Sequence, residues 1–243
     1  MLGGMCGRYA SFREAQDLAD AFAAQDVADD ARLLPPSWNV APTDPVRIVV
    51  ERERDDDVVR SLRVARWGLV PGWAKDPSVG SKMINARVET LDTKPAFRKA
   101  LAARRCLVPA EGYYEWQKVE RDGKQVKQPF WIHSADGAPL AFAGLYEFWR
   151  DPDRADDDPL RWLVTTAIVT GDAGLLGSIH DRRPVMLGPD RWDAWLDPRR
   201  DAAGEVLPLL DDAGPVLVPT PVATAVNSVR NNGPELIEPV EPD

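Results

Sequence analysis

Tyr113-Tyr114-Glu115-Trp116-Gln117-Lys118-Val119-Glu120-Arg121-Asp122-Gly123-Lys124-Gln125-Val126-Lys127-Gln128-Pro129-Phe130-Trp131-Ile132-His133 contains two β-rich runs, Tyr113 to Val119 and Gln125 to His133, on either side of an Asp-Gly pair. Asp-Gly supplies the positive φ that tight hairpin turns require, so the stretch predicts an antiparallel pair. Asp136-Gly137 repeats the signal before the run Leu140 to Leu145. Further β-rich runs stand at Val46 to Val50, Val58 to Leu69, Cys106 to Val108, Leu163 to Thr170, Val185 to Leu187 and Val216 to Pro219. That is too many strands for a helical bundle. Helices are predicted from about Phe12 to Ala24, where Ser11 and Glu14 have capping-box spacing, after Thr93 with Pro95 in the first turn, and from Asp190 to Leu196 before Pro198. The first is expected on the surface. No internal repeat or boundary splits the core. The expected fold is α+β: a single domain with a curved, largely antiparallel, barrel-like sheet and peripheral helices.

At roughly 150 residues per domain, 243 residues fit one large domain. The net charge of −9 comes from two segments, Arg13 to Asp30 at −5 and Asp151 to Asp158 at −4, and the remainder sums to zero. An acidic chain of this kind can keep a local basic groove, though its whole surface is not a polyanion binder. The Asp-rich 151–158 stretch reads as a solvated loop. The longest uncharged run, Ala213 to Val229, is 17 residues broken by Pro215, Pro219 and Pro221, and does not span a bilayer. The N-terminus lacks a secretory signal pattern, which places the expected location in the cytoplasm. Cys6 and Cys106 make no disulfide framework, and two His with two Cys in no ligand spacing make a metal site improbable.

Several segments are richer in polar and aromatic residues than a core needs: Met5-Cys6-Gly7-Arg8-Tyr9, Trp38-Asn39-Val40-Ala41-Pro42, Trp67-Gly68-Leu69-Val70-Pro71-Gly72-Trp73, Asn85-Ala86-Arg87-Val88-Glu89-Thr90, Glu111-Gly112-Tyr113-Tyr114-Glu115-Trp116, Ile179-His180-Asp181-Arg182-Arg183-Pro184, and Asn227 to Pro234. Together, and in this order, they closely resemble the SOS-response-associated peptidase family, abasic-site processing proteins that crosslink themselves to single-stranded DNA. The resemblance runs from Met5 to about Val240.

The resemblance implies that Cys6, once N-terminal, is the reactive group. Its α-amine forms an imine with the ring-opened C1′ aldehyde of an abasic deoxyribose, and its thiol closes a thiazolidine. Met1-Leu2-Gly3-Gly4 precedes Met5 here, and aminopeptidase does not remove Met before Leu2. Residues 1–5 are therefore expected to be a leader, absent through a start at Met5 or removed by self-processing, with residues 6–243 as the domain. The family's catalytic positions fall on Asn85, Glu115 and His180. Glu115 between Tyr114 and Trp116 is expected to have a raised pKa and to shuttle protons, including during crosslink reversal. His180 suits proton transfer at neutral pH, and Asn85 orients the amine or sugar oxygen. Arg8, Arg87 and Arg182 are expected to hold phosphates and Trp73 to stack on bases, with Ala74 standing where the family often has a second aromatic. Trp67 and Trp38 read as core aromatics, Cys106 as a core residue and His133 as a strand-end residue.

The expected protein is a monomer needing no cofactor, whose partner is single-stranded DNA containing abasic sites and which is nucleoid-associated when crosslinked. Two other functions fit parts of the sequence. Met-Cys-Gly also opens N-terminal-nucleophile amidotransferases and peptidases, and the arginine-aromatic pattern alone would serve a non-covalent single-strand binding module. Attachment to abasic DNA that resists heat and denaturant separates the first reading from both.

Overall fold

Asp122 and Gly123 both adopt positive φ, 50° and 71°. This is the pair of conformations a two-residue I′ hairpin turn needs. The flanking runs pair in unbroken register from Gly112↔His133 to Arg121↔Lys124. In the computed structural model, residues 7–55, 57–211 and 214–241 are described, so Cys6 and the leader 1–5 lie outside the described residues. The strands are β1 (Tyr9–Ser11), β2 (Asp26–Val27), β3 (Ser37–Val40), β4 (Pro45–Arg54), β5 (Asp57–Trp67), β6 (Asn85–Arg87), β7 (Arg105–Ala110), β8 (Gly112–Arg121), β9 (Lys124–Ser134), β10 (Leu140–Arg150), β11 (Trp162–Asp172), β12 (Arg182–Pro184) and β13 (Leu217–Pro221). The helices are α1 (Ala15–Ala21), α2 (Asp29–Leu33), α3 (Pro95–Ala103), α4 (Pro189–Leu196) and α5 (Ala203–Val206).

β5, β4, β7, β10 and β11 pair antiparallel in that order, and a parallel contact at Thr165↔Arg66 and Thr166↔Trp67 joins β11 back to β5, closing a five-stranded barrel. A second five-stranded sheet runs β13-β9-β8-β1-β3. Period-two alternation divides the barrel side chains between two clusters. Val49, Leu107, Ala141, Ala143, Leu145, Ala167 and Val169 face the helices, packing with Leu18, Phe22, Phe97, Leu101 and Trp195. Ile48, Val50, Cys106, Val108, Phe142 and Ile168 face the other way and share a core with Tyr9, Tyr113 and Ile132 of the second sheet. The single α+β domain with a curved, largely antiparallel sheet and peripheral helices is what the strand pattern predicts.

Three local expectations need correction. Asp136-Gly137 does not make a hairpin: Gly137 has φ 74° and Asp136 accepts from Ser134 Oγ and Ala138 N–H, but the connection carries the chain from β9 in one sheet to β10 in the barrel. The first helix starts at Ala15 rather than Phe12. Ser11 belongs to β1 opposite Ser37, and Glu14 is the N-cap with no side-chain cap bond, so the capping box does not form. The helix is at the surface but docks an apolar face of Ala15, Leu18 and Ala19, and Phe22 beyond it stacks on Trp192 of α4 at 4.7 Å. The run at Val185 to Leu187 contributes only an isolated bridge, Met186 to Phe142, because the strand proper is Arg182–Pro184. The 151–158 loop is exposed and internally paired, with Arg154 bonded to Asp158 at 2.8 Å. No helix among the described residues is long and apolar enough to cross a membrane.

Cys106 is fully buried, its Sγ 3.5 Å from Thr166 Oγ1, and burial pushes its thiol up to about 12. A thiol raised from 9.0 to about 12 holds about a thousandfold less thiolate at neutral pH. Native protein is therefore expected to leave Cys106 unalkylated, with the Cys106 peptide modified only after unfolding. Peptide mapping by mass spectrometry checks this, and prompt native labelling of Cys106 would refute it.

Candidate active site

β11 is the spine of the site. Its C-terminal half pairs with β6 on one side, Ile168↔Asn85 to Thr170↔Arg87, and with β12 on the other, Thr170↔Pro184 to Asp172↔Arg182. Both short strands thus deliver their polar residues to the same end of the sheet. The approach to β6 is fixed by backbone contact: Gly68 has φ 133°, and a Cβ there would lie 2.6 Å from the Gly80 carbonyl oxygen, so only glycine fits. Between β11 and β12 the chain turns at Gly174, φ 55°, whose N–H donates to Asp172 Oδ1, and then presents His180.

Glu115 comes from the other sheet. It shares a face of β8 with Tyr113, which is in the core, and is 3% exposed. His180 Nδ1 lies 3.9 Å from Glu115 Oε1 and 3.2 Å from Asp181 Oδ1. The same nitrogen is 3.0 Å from the Arg182 N–H and 3.1 Å from the Arg182 carbonyl. An unprotonated Nδ1 accepts from that N–H and a protonated one donates to the carbonyl or a carboxylate, so the ring has partners in either state. Trp116 Nε1 donates to Asn227 Oδ1 at 2.6 Å and Gln117 Nε2 donates to the Ser178 carbonyl at 3.1 Å, fixing β8 against both neighbouring loops.

These residues surround a cleft of about 630 Å³ lined by Arg87, Glu115, Trp116, Lys118, Lys127 and the 177–182 segment. Of the residues singled out from sequence, the structure brings Glu115, His180, Arg87 and Arg182 together here. Asn85 is buried two residues before Arg87 on β6. Arg182 Nη1 donates to Glu89 Oε1 at 2.6 Å rather than pairing with Glu115. Arg8 and Trp73 do not line this cleft. Arg8 is half-buried and donates to Asn39 Oδ1 at 2.8 Å and the Val226 carbonyl at 3.0 Å; burial lowers its pKa, opposed by Asp44 and Tyr114. Trp73 is 66% exposed, and the following Ala74 carbonyl accepts from Trp149 Nε1 at 2.7 Å. Trp67 is fully buried in the core and donates to the Ile84 carbonyl, whereas Trp38, read from sequence as a core aromatic, is only part-buried and stacks on Phe12 beside the core of the second sheet. Among the described residues no group of three or more His, Cys, Asp or Glu side chains could hold a metal ion.

Residues 5–229 match the family model described as SOS response associated peptidase (SRAP). The chain belongs to the SRAP family. This SRAP chain is 39% identical over 236 residues to the abasic site processing protein YoqW of Bacillus subtilis, covering 96% of this chain and 99% of the relative. It is 35% identical to the abasic site processing protein YedK of Escherichia coli, covering 97% and 100%. A crystal structure of a Bacteroides thetaiotaomicron protein superposes with a TM-score of 0.79 at 24% identity over 97% of this chain and 100% of that one, so the two share a fold. Lys118 and Lys127 are the SRAP cleft residues that sequence reasoning missed. In the linear sequence they read as the solvated positions of two strands, and only the hairpin register sets them side by side.

Proposed function

We propose that this SRAP chain processes abasic sites in single-stranded DNA by bonding to them through Cys6. The observation that carries the reading is the convergence of Glu115 and His180, from different sheets, in one cleft rimmed by Arg87 and Arg182. A paired carboxyl and imidazole can move protons at a reacting sugar, and arginines beside them can hold the flanking phosphates. The register of β1 on β8, Tyr9↔Tyr113 and Ala10↔Gly112, runs the chain toward Glu115 as it is followed back to Gly7, and Cys6 is the next residue upstream in sequence.

In the proposed reaction the Cys6 amine attacks the C1′ aldehyde, the carbinolamine loses one water to give the imine, and the thiol adds to the imine carbon. Glu115 and His180 supply and remove the protons for ring opening, dehydration and reversal. Asn85 holds the sugar oxygen or amine. Arg87 and Arg182 bind the backbone, Trp73 stacks on a base farther along the strand, and Arg8 adds positive potential beneath β1.

The test uses protein beginning at Cys6, a form retaining Met1 to Met5, and Cys6→Ala, each mixed with a single-stranded oligonucleotide carrying one abasic site. The Cys6-initiated protein is expected to give a product stable to heat and denaturant whose mass is protein plus DNA less one water. The other two are expected to give none. Equal crosslinking by the form that keeps Met1 would overturn the aminothiol chemistry.

A further inference from the structure

We propose that Lys118 and Lys127 form a phosphodiester-binding pair that grips the DNA strand where it leaves the cleft along the β8–β9 hairpin. The proposal rests on the reading above only in taking the cleft's ligand to be DNA.

The two lysines stand directly opposite each other in the β8–β9 register, so their side chains project from the same face. Like charges in that position repel, and an anion lying between them would turn that repulsion into attraction. Both are exposed, and among the described residues neither forms an ion pair. Glu120, the acid two residues along β8, stands opposite Gln125. Arg182, in contrast, is already bonded to Glu89. Both lysines line the same cleft as Glu115, His180 and Arg87. The net charge of −9 means this is no sample of a generally basic surface.

The hairpin is also held in place. Gln117 next to Lys118 is bonded to the Ser178 carbonyl, and Gln128 next to Lys127 accepts from Arg121 at 2.8 Å and donates to the Val222 carbonyl at 2.9 Å. The two ammonium groups are thus carried on a fixed strand pair at the mouth of the site. By strand alternation the pair leaves β8 on the face opposite Glu115, so a single strand whose sugar occupies the cleft would reach both lysines as it passes over the rim of the cleft.

The experiment measures binding of an unmodified single-stranded oligonucleotide from 50 to 200 mM salt. With about 0.7 of log–log slope per phosphate contact, the double variant Lys118→Gln/Lys127→Gln should lose about 1.4 of slope. Over that range its affinity should then fall about sevenfold less than the parent's. Lys118→Arg/Lys127→Arg should keep the parental slope. Removing the opposed charges should leave the melting temperature unchanged or higher, which separates phosphate binding from a structural role. An unchanged slope in the glutamine variant beside a clear parental slope overturns the lysine pair alone. A parent with no salt-dependent single-strand binding removes the DNA reading, and this proposal with it.

Discussion

Glu115→Gln is expected to release crosslinked DNA about 10²–10⁴-fold more slowly than the parent, so that product accumulates. The glutamine fills the same volume at a position that is 3% exposed, and changes the one property the proposed reversal asks of Glu115, the ability to carry a proton. Reopening a thiazolidine requires protonation of the ring, and Glu115 lies 3.9 Å from the His180 imidazole that can reload it. A denaturing-gel time course followed by a chase with excess competing abasic strand measures release. Release at the parental rate would show that the carboxyl is not the donor.

His180→Gln should show its main effect earlier, slowing formation of the adduct by about 10²–10⁴-fold while single-strand affinity stays near parental. Its Nδ1 lies 3.0 Å from the Arg182 N–H and 3.1 Å from the Arg182 carbonyl, which hold the ring in place at the cleft. Glutamine keeps hydrogen-bonding capacity but cannot titrate. Single-turnover kinetics at saturating abasic oligonucleotide give the comparison, and parental formation rates would limit His180 to supporting the loop.

The long strands and two of the helices were legible because their signals are local. Asp122-Gly123 set a hairpin register, Pro95 opened α3, and Trp195 and Leu196 marked the buried face of α4. β1, β2, β3 and β6 have two to four residues each, too few for a period to emerge. They exist because neighbouring strands offer them partners. Ser11 illustrates the competition: its capping-box spacing lost to a place in β1. Glu115 and His180 could be named from their motifs, but their meeting depends on two sheets and a loop between β11 and β12. The Asp122-Gly123 turn already sets Lys118 opposite Lys127; what the sequence does not report is that this part of the hairpin borders the cleft, which depends on the loop between β11 and β12.

The closure of the barrel through Arg66 and Thr165, roughly a hundred residues apart, has a kinetic consequence. Contacts between distant segments carry a loop-closure cost, and this junction cannot form until the chain through Thr166 is present. Arg87, Glu115 and His180 depend on β11 and its neighbours for their places, so the cleft assembles with that junction. During synthesis the N-terminal segment emerges first, and the part of the chain that completes the cleft emerges far behind it. A ribosome-bound or truncated chain ending before residue 182 therefore carries Cys6 without the cleft residues proposed to act with it.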